Sequence, residues 1–208
     1  MKTRTAVIYY SATGSTYRLA EAIAEGAFES DGDVRVRKVR ETAHNEAIAS
    51  NEGWASHRQR TRHVPEASLE DLGWADVVIL GTPARFGLPA APLKQFIDSA
   101  GPLWGAGKLM NKVVSSFASA AHPHGGQETT LVALNNVFYH WGAIIVPPGY
   151  LDPIQIATGN PYGVSFAGEN GAALPDETVL AAARHQGRRT VAIARLLLAG
   201  RSRVPDDR

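Results

Sequence analysis

The sequence predicts an α/β fold built on a doubly wound, five-stranded parallel sheet with helices on both faces. Short β-branched and apolar runs recur with helical stretches between them, the alternation that parallel sheets require. The third, fourth and fifth runs are apolar throughout, which suits strands covered on both faces. The first run breaks into a Ser/Thr/Gly turn that leads straight into a helical pattern, a junction suited to phosphate binding.

The expected strands are 4–10, 33–39, 76–81, 112–118 and 143–147. In the second, Val34 and Val36 alternate with Arg35 and Arg37, so it belongs at a sheet edge. The first expected helix, 16–30, places Leu19, Ala20, Ile23, Ala24 and Ala27 on one face. Helices at 89–100, 127–141 and 176–199 follow, the last opened by Pro175 and Asp176. Residues 41–66 lack such periodicity and read as an insertion within a single domain of 1–199, and GRSRVPDDR at 200–208 has the composition of a flexible tail.

Composition narrows the function. A chain of 208 residues, 44% hydrophobic, can bury one substantial core. A net charge of +1 gives no bulk attraction to nucleic acid or to an anionic membrane. With no cysteine, disulfides, thiolate catalysis and Cys-ligated metals are excluded. No segment reaches the ~20 apolar residues of a membrane span, and the first strand begins too early to leave room for a signal peptide. The expectation is a soluble, cytoplasmic protein.

The turn at 11–16 offers hydroxyls from Ser11, Thr13, Ser15 and Thr16, and Gly14 permits close backbone approach. It fits neither GxxxxGK[ST] nor GxGxxG, which argues against Mg-nucleotide hydrolysis and against a dinucleotide pyrophosphate there. A monophosphate cradle remains, with an ordinary N-capped helix as the alternative. His122 and His124 could suggest a metal, but no third ligand lies near them in sequence, so none is expected.

Three further blocks, TPARFGLPAAPLKQFID at 82–98, GPLWGAGKLMNKVVSSFASAAHPHGGQETT at 101–130 and NPYG at 160–163, resemble the WrbA family of FMN-dependent NAD(P)H:quinone oxidoreductases, as does ARHQGR at 183–188. The resemblance spans about residues 4–198 and implies a flavodoxin-like fold with FMN held by three loops at 11–16, 82–88 and 119–126. It assigns the FMN phosphate to Ser11, Ala12, Thr13, Gly14, Ser15 and Thr16. It sets the flavin ring edge against Ala84, Arg85, Phe86 and Gly87, with Arg85 either balancing reduced flavin or forming a structural salt bridge. It brings Ser119, Ala120, Ala121, His122, Pro123, His124, Gly125 and Gly126 around the pyrimidine end.

His140 matches a histidine that reaches the flavin of an adjacent subunit, where it would donate a hydrogen bond or a proton; a partly buried His at a helix C-terminus is the alternative. Trp104 matches a tryptophan that walls the pocket for a flat quinone, or is plain core. Two positions depart from the pattern. Thr13 stands where the family has an aromatic near the nicotinamide, and Ala84 where it has a threonine. The basic run HRQRTRH at 57–63 either meets the 2′-phosphate of NADPH or lies solvated, the reading preferred from composition.

The resemblance therefore implies a homotetrameric enzyme that moves two electrons from NADH or NADPH through FMN to a quinone in a ping-pong cycle. An FMN-dependent nitro or azo reductase, a flavodoxin-like electron carrier and a regulatory protein that has lost flavin are the competing readings. The near-neutral charge disfavours the carrier, which would present an acidic face.

Overall fold

The computed structural model describes residues 2–150, 152–168 and 173–201. In chain order the elements are β1 (Thr3–Tyr9), α1 (Ser15–Glu29), β2 (Gly32–Lys38), α2 (Asn45–Ala49), α3 (Glu52–Arg60), α4 (Leu69–Trp74), β3 (Val77–Arg85), β4 (Leu88–Pro89), α5 (Ala91–Asp98), α6 (Gly101–Gly105), β5 (Val113–Ala120), α7 (Gln127–Trp141), β6 (Ile144–Ile145), α8 (Pro153–Thr158), β7 (Ser165–Ala167) and α9 (Glu177–Arg201). The main path through the sheet runs β2-β1-β3-β5-β6 with every pair parallel, and the chain reverses its winding direction between β1 and β3.

Alternation along β1 builds both layers. Ala6 and Ile8 point into one core with Leu72, Leu93, Ile97, Leu134 and Phe138, from α4, α5 and α7. Val7 and Tyr9 point into the other with Leu19, Ile23, Ala182 and Ala183, from α1 and α9. The ARHQGR block explains how α9 sits so close. A Cβ on Gly187 would lie 2.1 Å from the Ile23 carbonyl oxygen, so only glycine allows α1 and α9 this approach. Next to it, buried Gln186 accepts from the Val164 N–H and donates to Ser115 Oγ and the Ser116 carbonyl, fastening α9 to β5.

Several expectations need correction. Among the described residues the sheet has seven strands rather than five, on the expected parallel path. β4 is a two-residue hairpin partner of β3. The fifth strand position is shared, with β6 pairing Val113 and Val114 at one end of β5 and β7 pairing Ala118 to Ala120 at the other. The run expected as a strand at 143–147 shrinks to Ile144 and Ile145, which are half-buried rather than covered on both faces. Pro147 and Pro148 have no N–H to continue the ladder.

The expected 89–100 helix is α5, shortened to Ala91–Asp98 because Pro89 belongs to β4, and α6 follows it as a short helix where none is expected. Residues 41–66 include two helices, α2 and α3, where no element is expected. On the edge strand, Arg35 and Arg37 are not free in solvent: both reach Asp71 of α4 at 3.1 Å, and the Arg35 guanidinium stacks 3.9 Å from the Trp74 ring. Gly200 and Arg201 extend α9 beyond its expected end, while 202–208 lie outside the described residues.

Candidate functional site

The carboxyl ends of β1, β3 and β5 bring the loops at 11–16, 82–88 and 119–126 around one cleft. A cavity of about 210 Å³ is lined there by Ser11, Thr13, Ser15, Thr16, Arg85 and Ser119, with Ala12, Ala120 and Ala121 beside them. The position follows from the topology: where winding reverses between β1 and β3, the helices diverge and leave a crevice.

The first wall is the turn after β1. Ser11 Oγ accepts from the Gly14 N–H at 3.1 Å, which curls the loop, and Gly14 caps α1 in a left-handed conformation with φ of 119°. Among the described residues no side chain caps α1, so the first-turn N–H groups retain the positive potential that draws an anion. Thr16 and Ser119, both buried, share a 2.8 Å hydrogen bond that ties this loop to the end of β5. Ser11 and Thr13 remain half-buried at the mouth.

The second wall is a hairpin rather than a free loop. Ala84 and Arg85 are the last residues of β3, paired with Pro89 and Leu88, and Phe86 and Gly87 form a two-residue turn with φ of 52° and 75°. A positive φ at both positions is the geometry that tight hairpins need. Thr82 Oγ1 accepts from the Ala90 N–H and fixes the base of the hairpin. Phe86 is carried at its tip, fully exposed. A phenyl ring held in water on a left-handed residue is a surface awaiting a flat apolar partner. Arg85 donates to the Ala84 carbonyl and, among the described residues, forms no ion pair with a carboxylate.

The third wall begins at the end of β5, since Ser119 and Ala120 are its last residues. Ala121 is half-buried, His122, Pro123 and His124 are exposed, and the turn closes where Gly125 N–H and Gln127 Nε2 both donate to the His122 carbonyl. Gly126 meets the hairpin directly: with φ of 83°, a Cβ there would stand 2.7 Å from the Gly87 Cα. The second and third walls therefore touch backbone to backbone.

Trp104 and His140 lie elsewhere. The Trp104 indole donates to the His140 carbonyl at 2.8 Å, and both side chains are exposed beside a groove of about 440 Å³ that also includes Asp98 and Trp141. His140 lies in the last turn of α7, whose first residue, Gln127, follows the third wall. A helix of that length spans about 20 Å. The two are brought together, but apart from the cleft of their own chain.

The basic run at 57–63 is only partly solvated. Arg58, Arg60, Arg62 and His63 are exposed, whereas His57 and Thr61 are buried. His57 packs on the Tyr17 ring at 5.6 Å and against Gly14, and burial together with Arg60 and Lys38 lowers its pKa to about 4. Asn51, which caps α3 by accepting from the Trp54 N–H, also lines the cleft, as do Pro83 and Gly168. These three are absent from the expected site. The Asn51-Glu52 pair is a readable helix start, whereas Gly168 reaches the cleft only through the pairing of β7 with β5.

The donor set fits FMN. An uncapped helix N-terminus with hydroxyls suits its phosphate, and an exposed phenyl beside a fixed guanidinium suits its ring. The family of NADPH-dependent FMN reductases matches residues 3–153. An NAD(P)H dehydrogenase (quinone) of Deinococcus radiodurans is 40% identical over 194 residues, covering 93% of this chain and 96% of that protein. One from Syntrophobacter fumaroxidans is 41% identical over 198 residues, covering 92% and 97%. Among solved structures, a WrbA-like flavodoxin from Agrobacterium tumefaciens aligns with a TM-score of 0.65 at 26% identity, covering 94% of this chain and 99% of that one.

Proposed function

The chain belongs to the family of NADPH-dependent FMN reductases, and from that premise we propose that it is an FMN-dependent NAD(P)H:quinone oxidoreductase. The observation that carries the reading is the convergence of the uncapped α1 N-terminus, the Phe86 hairpin and the small-residue loop after β5 on one cleft at the switch point of the sheet. FMN, when bound, supplies the chemistry: it takes two electrons from NADH or NADPH and gives them to a quinone.

The protein's own residues bind and orient. Residues 11–16 hold the phosphate with hydroxyls and the first N–H groups of α1. Phe86 covers apolar ring surface, and Arg85 places a fixed positive charge beside it that favours the anionic form of whatever it faces. Small residues at Ala120, Ala121 and Gly125 allow backbone N–H groups to approach carbonyl oxygens. Thr13 gives a hydroxyl where an aromatic would stack, so the nicotinamide is held by fewer ring contacts.

Trp104 and His140 serve a neighbouring copy. Exposed together around one groove, they would cover that copy's cleft, with Trp104 as a flat wall for the quinone and His140 as a hydrogen-bond or proton donor. The assembly we infer is a homotetramer, which light scattering would report as about four times the 22.2 kDa chain mass. Among the described residues no helix is long and apolar enough to cross a membrane. A cytoplasmic location, where NAD(P)H is supplied, accords with the proposed reaction.

The test is anaerobic rapid mixing of the FMN-loaded protein with NADH or NADPH, then with benzoquinone. Bleaching of the flavin absorbance followed by quinone-driven recovery is the expected result. Bound FMN that fails to bleach would replace the reading with an electron carrier, and failure to bind FMN would replace it with a regulatory role.

A further inference from the structure

A second crevice, of about 300 Å³, opens on the other side of the phosphate loop, between the end of β2 and α3. Ser11 lines both it and the cleft, so the two adjoin at the phosphate end. One helix serves both, with Asn51 at its N-cap facing the cleft and Trp54, His57 and Arg58 lining the crevice.

Its side chains are set for an anion. Arg40 lines it and makes no side-chain hydrogen bond or ion pair among the described residues. Arg58 spends one donor on Asn45 Oδ1 and keeps the rest of its guanidinium free in the hydrogen bonds described, and Lys38 donates to the Thr61 carbonyl. Two carboxylates stand against these three cations. Glu66 faces Lys38, while Glu41 is saturated, accepting from Tyr10 OH, Trp54 Nε1 and the N–H groups of Thr42 and Ala43.

The net charge is positive, and one polar side chain is left over. His57, 5% exposed, lines the crevice with no hydrogen-bond partner for its imidazole among the described residues. An imidazole that lines the crevice without a partner of its own is open to a ligand's oxygen. Trp54, fixed by Glu41, adds an aromatic face on which a base can stack.

Resting on the oxidoreductase reading, we propose that this crevice seats the adenosine 2′-phosphate of NADPH and so makes the enzyme prefer NADPH to NADH. A phosphate monoester carries nearly two charges and three acceptor oxygens, which Arg40, Arg58 and His57 can meet. Its base lies on Trp54. NADH brings a hydroxyl to the same cations and gains far less from them.

The experiment is calorimetric titration of the FMN-loaded, full-length protein with 2′,5′-ADP, 5′-AMP and inorganic phosphate. We expect 2′,5′-ADP to bind at least about tenfold more tightly than 5′-AMP, and an Arg40→Ser/Arg58→Ser double variant to bind the two alike. Both arginines are exposed, so the variant keeps its fold. In turnover, its kcat/KM ratio for NADPH over NADH falls about tenfold. Equal binding of 2′,5′-ADP and 5′-AMP by the wild type, or a preference that survives in the variant, overturns the proposal. Inorganic phosphate binding as tightly as 2′,5′-ADP overturns it in favour of a simple anion seat. The titrations involve no turnover, so an enzyme that reduced quinone with neither dinucleotide would refute the oxidoreductase reading separately.

Discussion

The two ends of the sheet treat their polar groups in opposite ways. At the amino end, Asp76 accepts from the Arg4 backbone N–H, Nε and Nη2 at 2.7 to 3.1 Å, and buried Lys112 donates to the carbonyls of Gly73 and Ala75 where α4 ends. Arg4 holds the Asp76 carboxyl below the usual range, while burial presses Lys112 down to about 8. At the carboxyl end, α1 has no side-chain cap, His57 has no partner for its imidazole among the described residues, and Phe86 stands in water on a left-handed residue. The first end ties its charged groups to one another and to backbone carbonyls. The other keeps donors and ring surface available, as a binding site must.

That contrast can be broken first where the loops touch. Gly126→Ala forces a side chain into a left-handed residue and against the Gly87 Cα, so the hairpin must move. FMN affinity is expected to fall more than about tenfold, read by fluorescence titration, with stability lower by about 1 to 2 kcal/mol.

At the amino end the expected outcome is the reverse. Asp76→Ala leaves Arg4 and Lys112 without their carboxylate and costs about 2 kcal/mol in a urea titration, with FMN affinity unchanged. A loss of FMN affinity there would show that the two ends are coupled.

A third prediction sharpens the comparison through pH. His57 has its pKa lowered from 6.5 to about 4 in the fold, so between these values the unfolded chain binds the extra proton. Its contribution is therefore present above pH 6.5 and lost as pH falls toward 4. His57→Gln is expected to flatten that part of the stability curve, and an unchanged curve would remove His57 as its source.

Much of the fold is legible in the chain because burial leaves a periodic trace. α7 occupies 127–141 as expected, and β1, β2, β3 and β5 fall within a few residues of their expected starts. The missed elements leave no such trace. α3 reads EGWASHRQR, too polar for an apolar stripe, and α2 and α4 are five and six residues long. Only caps announce them, Asn51 for α3 and Ser68 with Asp71 for α4.

The site divides in the same way. The three loops are marked by their residues, but what joins them is not. The Thr16–Ser119 bond links positions 103 apart, and the contact of Gly87 with Gly126 depends on how β3 and β5 pair. The exposed groove around Trp104 and His140 has no counterpart in local pattern, since exposure is decided by what the whole chain leaves uncovered.

The shared fifth strand bears on aggregation. An uninterrupted outer strand would offer a straight row of unpaired N–H and carbonyl groups, to which a sheet edge of another molecule could add. Here β6 supplies two residues at one end of β5 and β7 three at the other, with α8 between them in chain order. The opposite edge, β2, carries Arg35, Arg37 and Lys38, with Arg35 and Arg37 paired to Asp71. Neither margin gives a stray strand a long, flat, apolar template, so at high concentration the sheet is guarded against growing from one copy into the next.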